Sequence, residues 1–130
     1  MRENYDSSFL LEEHCNENPF LQFKKWFEEA TQSNIIEPNA MTLATVGKDG
    51  QPSARIVLLK SFSKEGFVFY TNYNSEKGKA ILNNPNVCLS FFWHSLERQV
   101  IIKGIAEKTS SIESDNYFAL ILGFLAVVLG

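Results

Sequence analysis

The chain has 130 residues, 45% of them hydrophobic and 21% charged, enough to build the core of one domain and too apolar for a disordered, charge-rich chain. Twelve Lys and Arg against fifteen Asp and Glu leave a net charge of −3, which argues against a general nucleic-acid binder, since these carry a basic excess. Two cysteines, Cys15 and Cys88, and two histidines, His14 and His94, occur without C-x-x-C or H-x-x-H spacing, which argues against a disulfide scaffold and against a metal site.

Residues 1–17 are polar, mixed in charge and without period, and read as a flexible arm. Met1 to Asp6 lacks the apolar core of a signal peptide, so the cytoplasm is the expected location. Asn18-Pro19 reads as an N-cap followed by Pro at the first helical position. Phe20, Phe23, Phe27 and Ala30 then line one face of an amphipathic helix that ends near residues 32–34. Ala40 to Val46 is a strand, Gly47 to Gly50 a hairpin turn, and Gln51 to Lys60 the returning strand. Ser61 to Gly66 is a loop and Phe67 to Thr71 a third strand. Ser75 caps a short helix through Leu82 that Asn83-Asn84-Pro85 stops. Val87 to His94 and Gln99 to Lys108 are strands four and five. Ser110 and Glu113 fit a capping box, so a helix is expected through about Phe118. Tyr117 to Gly130 is entirely apolar or Gly. As a helix, that run spans about 21 Å, short of the roughly 30 Å hydrocarbon core, so no confident membrane span is read. Short turns between successive strands favour antiparallel pairing. The fold expected is mainly β with flanking helices, a small barrel or strongly curled sheet.

Three stretches could carry chemistry. In Arg55-Ile56-Val57-Leu58-Leu59-Lys60, alternation groups Arg55 with Val57 and Leu59, and Lys60 with Ile56 and Leu58, unless the strand bulges. These are either edge cations on a core strand or a track for a planar, anionic ligand. In Tyr70 to Lys79, a strand ends in hydroxyl and amide side chains and enters a capped helix. Its first N–H groups, with Lys77 and Lys79, could hold a phosphate; the alternative is a capped surface helix with solvated lysines. In Trp93 to Val100, His94 reads as a structural hydrogen-bonder, and Gln99, entering a buried strand, needs a partner. Cys88 reads as a small hydrophobe on a buried strand.

The chain resembles the pyridoxine (pyridoxamine) 5'-phosphate oxidases over about residues 1–118. The match rests on Asn39-Ala40-Met41, Ala44-Thr45, Asp49-Gly50-Gln51-Pro52, Arg55 to Lys60, Phe69-Tyr70-Thr71-Asn72, Ser75, Lys77, Asn84-Pro85, Trp93-His94 and Leu96 to Val100, continued by Gly104 and Tyr117-Phe118. The resemblance implies an FMN-binding split β-barrel acting as a homodimer, with FMN in the cleft between subunits. It implies oxidation of pyridoxine 5'-phosphate or pyridoxamine 5'-phosphate to pyridoxal 5'-phosphate, with O2 as acceptor. It assigns cofactor contacts to Arg55, Ile56, Val57, Leu58, Leu59, Lys60, Tyr70, Thr71, Lys77 and Gln99, with Arg55 at the phosphate end. Glu76 joins this set in the place where the family has Arg, where a carboxylate would repel a phosphate. It assigns substrate contacts to Arg2, Glu3, Asn4, Tyr5, Lys60 and Tyr117. No nucleophile or acid–base pair is expected, because a flavin carries the electron chemistry. The family pattern stops after Phe118, and Ile121 stands about where the family has Arg. The expected organisation is an arm over 1–17, an incomplete barrel domain over 18–118 and a divergent apolar tail over 119–130. The barrel is expected to lack its final strands and to leave an unpaired edge, which the tail would cover or fill as a helix.

Overall fold

The computed structural model describes residues 19–109 and 117–129. Helix α1 spans Pro19–Thr31, followed by strands β1 (Ala40–Val46), β2 (Pro52–Ser63) and β3 (Gly66–Tyr70). Helix α2 (Glu76–Asn83), β4 (Asn86–Trp93), a single 3-10 turn (His94–Leu96), β5 (Arg98–Lys108) and β6 (Tyr117–Leu129) complete it. The strands close into an antiparallel barrel in the order β1-β2-β3-β6-β5-β4.

Alternation sorts the strand residues into an inside and an outside. Met41 and Leu43 of β1, Val57 and Leu59 of β2, Phe67 and Phe69 of β3, Leu89 and Phe91 of β4, Val100 and Ile102 of β5, and Phe118 and Leu120 of β6 fill the interior. The β1–β2 turn forms as its composition predicts. Gly50 takes φ 82, its N–H donates to the Gly47 carbonyl at 2.9 Å, and the Gln51 N–H donates to Asp49 Oδ1 at 3.0 Å. Helix α1 lays Phe23, Trp26 and Ala30 on the barrel. Phe23 is fully buried against the rings of Phe62, Phe67, Phe91 and Trp93, all at ring-centroid distances of 5.0–6.2 Å. Edge and tilted ring packing of this kind adds to the area term.

The stretch after β5 corrects two expectations. Residues 110–116 lie outside the described residues, but Tyr117 and Phe118 belong to a strand rather than to the end of a helix. The unpaired edge is absent as well. Tyr117 to Leu120 pair with Tyr70 to Phe67 of β3, and β6 also pairs along β5 from Phe118↔Lys108 to Leu129↔Arg98. The apolar run therefore supplies a sixth strand and closes the barrel, crossing residues 118 and 119 without a break. The physical reason is tertiary. An open β3 and an open β5 offer two ladders of backbone partners to a run rich in Ile, Leu, Phe and Val, and those ladders hold Tyr117 onward as a strand. Among the described residues, no helix is long and apolar enough to cross a membrane.

Candidate functional site

The outside of the barrel carries the residues of interest. On β2, Val57 and Leu59 face the core, whereas Ile56, Leu58 and Lys60 are exposed on the outer face. Lys60 keeps the outward direction that alternation gives it, and the strand bulges there: Leu59 pairs with Phe69 and Ser61 with Val68, so Lys60 is the extra residue and the alternation shifts beyond it. Arg55 is exposed but stands opposite the inward-facing Leu43, so it leaves β2 on the side of Val57 and Leu59 and not on that of Lys60. Val57 and Leu59, expected as cofactor contacts, can therefore meet a ligand on the outer face through their backbone alone.

Next to Lys60 the strand pairing brings together two tyrosines. Tyr70 and Tyr117 are register partners across β3 and β6, and their rings meet edge to face at 5.7 Å. The Lys60 ammonium lies 5.5 Å from the centre of the Tyr117 ring, within range of a cation–π contact. Lys60, Tyr70 and Tyr117, far apart in sequence, thus form one cluster.

Across the same face, Ile56 pairs with Thr42, and Thr42 with Ser90. Gln99 donates from Nε2 to Ser90 Oγ at 3.2 Å, the partner that its position requires. The start of β5 is held by Arg98, which lies 4.5 Å from the Trp26 ring centre and pairs with Glu29 of α1. His94 is exposed and meets the Phe92 ring edge-on.

The polar end of β3 leads into α2. Ser75 caps the helix, its Oγ accepting from the Gly78 N–H at 3.1 Å and donating to the Asn72 carbonyl at 2.6 Å. Glu76 is exposed in the first helical turn, where a carboxylate complements the helix dipole, and Lys77 is half-buried beside it. A Cβ on Gly78 would lie 2.2 Å from the Asn72 carbonyl oxygen, so only glycine allows α2 to sit this close to the preceding loop.

Thr71 provides the test of fit for a cofactor. It is 4% exposed, and its Oγ1 is buried with no hydrogen-bond partner among the described residues. Such a hydroxyl is a donor awaiting an acceptor. It follows Tyr70 in the chain, and a hydroxyl with an unused hydrogen suits a ligand rich in acceptors such as FMN; Arg55 and Lys60 are exposed cations on opposite sides of β2. Arg2, Glu3, Asn4 and Tyr5 lie outside the described residues. Among the described residues, no group of three or more His, Cys, Asp or Glu could hold a metal ion. A separate depression of about 500 Å3, lined in part by Thr45, Pro52, Cys88 and Lys103, contains none of the residues expected at the cofactor face. Cys88 there is half-buried rather than buried; burial raises its thiol pKa and Lys103 partly opposes that.

Sequence reasoning gave no role to Ser90, Arg98 or Tyr73. Gln99 entering a strand pointed to some partner; nothing in the sequence pointed to Ser90 in particular.

A closed six-stranded antiparallel barrel with a capped helix after β3 defines a split-barrel protein. Among solved structures, the chain superposes on PhzG from Burkholderia lata, in complex with tetrahydrophenazine-1-carboxylic acid, with TM-score 0.71 and 28% identity over 75% of this chain and 48% of that one. An FMN-binding protein from Nostoc punctiforme, related to pyridoxamine 5'-phosphate oxidase, matches with TM-score 0.60 and 18% identity over 70% and 51%, a likeness of fold. A family model described as pyridoxamine 5'-phosphate oxidase matches residues 27–123, and the chain belongs to that family. It is 63% identical over 118 residues to a pyridoxine/pyridoxamine 5'-phosphate oxidase of Flavobacterium johnsoniae, covering 90% of this chain and 55% of the relative. A protein of the same name from Gloeothece citriformis is 55% identical over 119 residues, covering 92% and 56%. The chain thus spans about half the length of the curated relatives it matches.

Proposed function

We propose that this chain binds FMN on the outer face of β2 and serves the oxidation of pyridoxine 5'-phosphate or pyridoxamine 5'-phosphate to pyridoxal 5'-phosphate. O2 is the acceptor, the working form is a homodimer with FMN in the cleft between protomers, and the location is the cytoplasm. The observation that carries the reading is the cluster of Lys60, Tyr70 and Tyr117, with the unpartnered hydroxyl of Thr71, the residue after Tyr70, in support. The names of the relatives support the substrate class.

Bound FMN supplies a two-electron acceptor for the hydride leaving C4' of the substrate, with O2 taking those electrons on as peroxide. The chain's own residues bind and orient. The residues Arg55 to Lys60 of β2 would hold the cofactor, with Ile56 and Leu58 as their exposed apolar surface. Arg55 and Lys77 supply positive charge for a phosphate, and Gln99, steadied by Ser90, supplies an amide for a polar ring edge. Thr71 donates its hydroxyl to an acceptor of the ligand. Lys60, which lies at the Tyr117 ring, would serve both flavin and substrate, and Tyr117 would meet the substrate phosphate.

A second reading is a split-barrel protein that binds FMN or pyridoxal 5'-phosphate without turnover. Glu76 in the first turn of α2 favours it, because a carboxylate there repels a phosphate dianion. Titrating FMN with the purified chain and following flavin fluorescence tests both. Saturable quenching near one FMN per chain, with peroxide and pyridoxal 5'-phosphate formed in air, supports the oxidase. Saturable quenching without product supports the second reading. Absence of quenching at micromolar protein rejects FMN binding.

A further inference from the structure

We infer that Tyr73 is a positioning residue, which ties the cofactor-side helix to the substrate-side tyrosine and so sets how Tyr117 meets the substrate phosphate. This deepens the function proposed above and rests on it.

Tyr73 lies in the loop between β3 and α2, and its contacts run in both directions. Its hydroxyl donates to the backbone carbonyl of Tyr117 at 2.9 Å, across 44 residues of sequence. The same carbonyl accepts from the Thr109 N–H at 3.0 Å, so the first residue of β6 is held from two sides. The Tyr73 ring packs edge to face on Phe118 at 5.0 Å, and the Lys108 ammonium sits 4.6 Å from its centre. On the other side, the Tyr73 backbone is pressed against α2. A Cβ on Gly78 would fall 2.7 Å from the Tyr73 Cα, and Ser75 bonds back to Asn72, the residue before it.

These contacts make one rigid path. The first turn of α2, with Lys77, fixes the Asn72–Tyr73 backbone; Tyr73 fixes the main chain of Tyr117; and the Tyr117 ring meets Lys60 and Tyr70. The Tyr117 side chain is half-buried at the start of a strand, and the residues just before it, 110–116, lie outside the described residues. Pairing with Tyr70 fixes the strand, and the hydroxyl of Tyr73 fixes the carbonyl on which the strand begins. A site that must hold a phosphate-bearing substrate against a flavin needs its anchoring groups placed to within a fraction of an ångström. Tyr73 bonds the Tyr117 main chain and packs on Phe118 and Lys108, and so acts on the site through Tyr117.

Tyr73→Phe removes the hydroxyl and keeps the ring on Phe118 and Lys108. One net hydrogen bond corresponds to about a two- to tenfold effect. Amide hydrogen exchange at Tyr117 to Leu120 is expected to quicken by about that factor, with the β4–β5 amides unchanged. Pyridoxal 5'-phosphate, followed by its absorbance, is expected to bind about two- to tenfold more weakly, while the FMN concentration for half-quenching stays that of the wild type. Unchanged exchange overturns the inference. So does an equal loss of FMN and pyridoxal 5'-phosphate affinity, which is the mark of general structural damage. If the wild-type chain takes up neither ligand, the function proposed above fails. Faster exchange then leaves Tyr73 as a purely structural tie and refutes its role toward substrate.

Discussion

Replacing Thr71 with Val separates stability from binding, because the two are expected to move in opposite directions. The hydroxyl is buried and unpartnered among the described residues. Leaving a buried donor without an acceptor costs about 1–3 kcal/mol. Val has nearly the same shape and no hydroxyl, so the ligand-free Val variant is expected to be more stable by at least about 1 kcal/mol. For a domain of this size that raises Tm by about 4 °C. FMN binding is expected to weaken about two- to tenfold, the worth of one neutral hydrogen bond, because the ligand loses the donor. Thr71→Ser keeps the hydroxyl and is expected to hold an affinity near that of the wild type. The assays are a thermal melt without ligand and a flavin-quenching titration. A Val variant that melts lower than wild type and binds FMN equally well would refute the reasoning, since the hydroxyl would then serve the fold and not the ligand.

Arg55→Ala is expected to weaken FMN binding tenfold or more, on the order of one charge-assisted hydrogen bond, in the same titration. The wild-type affinity should also fall with added salt more steeply than that of the variant. Gly78→Ala pushes a methyl to 2.2 Å from the Asn72 oxygen, so the loop must move. An overpacking cost of about 1–3 kcal/mol is expected and is readable as a lower urea midpoint. Burial raises the Cys88 pKa, so the folded state prefers the thiol. Its contribution to stability is present below the thiol pKa of the unfolded chain, about 8.5, and is lost as pH rises through the higher folded value. Urea melts of wild type and Cys88→Ala at neutral and alkaline pH should therefore draw together as the pH rises; a constant gap would contradict this.

Most of the fold was legible because its signals are local. The alternation of Ala40 to Val46 gives β1 at its observed bounds, and the Gly-rich turn after it folds as composition demands. Ser75 caps its helix through its own side chain. Tyr117 and Phe118 were misread as a helix end because local and distant demands conflict there. Ser110 and Glu113 describe a helix start, but an uncharged run from Tyr117 has no polar face for a surface helix, and two waiting strand edges claim it. At the candidate site, the individual residues are those that family resemblance proposes. It could not show that Lys60 and Tyr117 meet, because that contact depends on the pairing of β3 with a strand distant in sequence. Tyr73 stayed without a role for the same reason: its partner is 44 residues away.

The closing strand also sets the order in which the molecule can be finished. β1, β2 and β3 are joined by short turns and can zip as they emerge, whereas β6 must reach back to β3 across α2, β4 and β5. Non-local closure of this kind is slow, since the intervening loop entropy comes due before the contacts form. During synthesis, β3 and β5 wait with open edges, and the segment that will cover them is itself the most adhesive stretch of the chain. The interval between translating Lys108 and translating Leu129 is thus the time when self-association competes most strongly with folding. Slower elongation over that interval, or higher expression, should divert chains to aggregates without altering the native barrel.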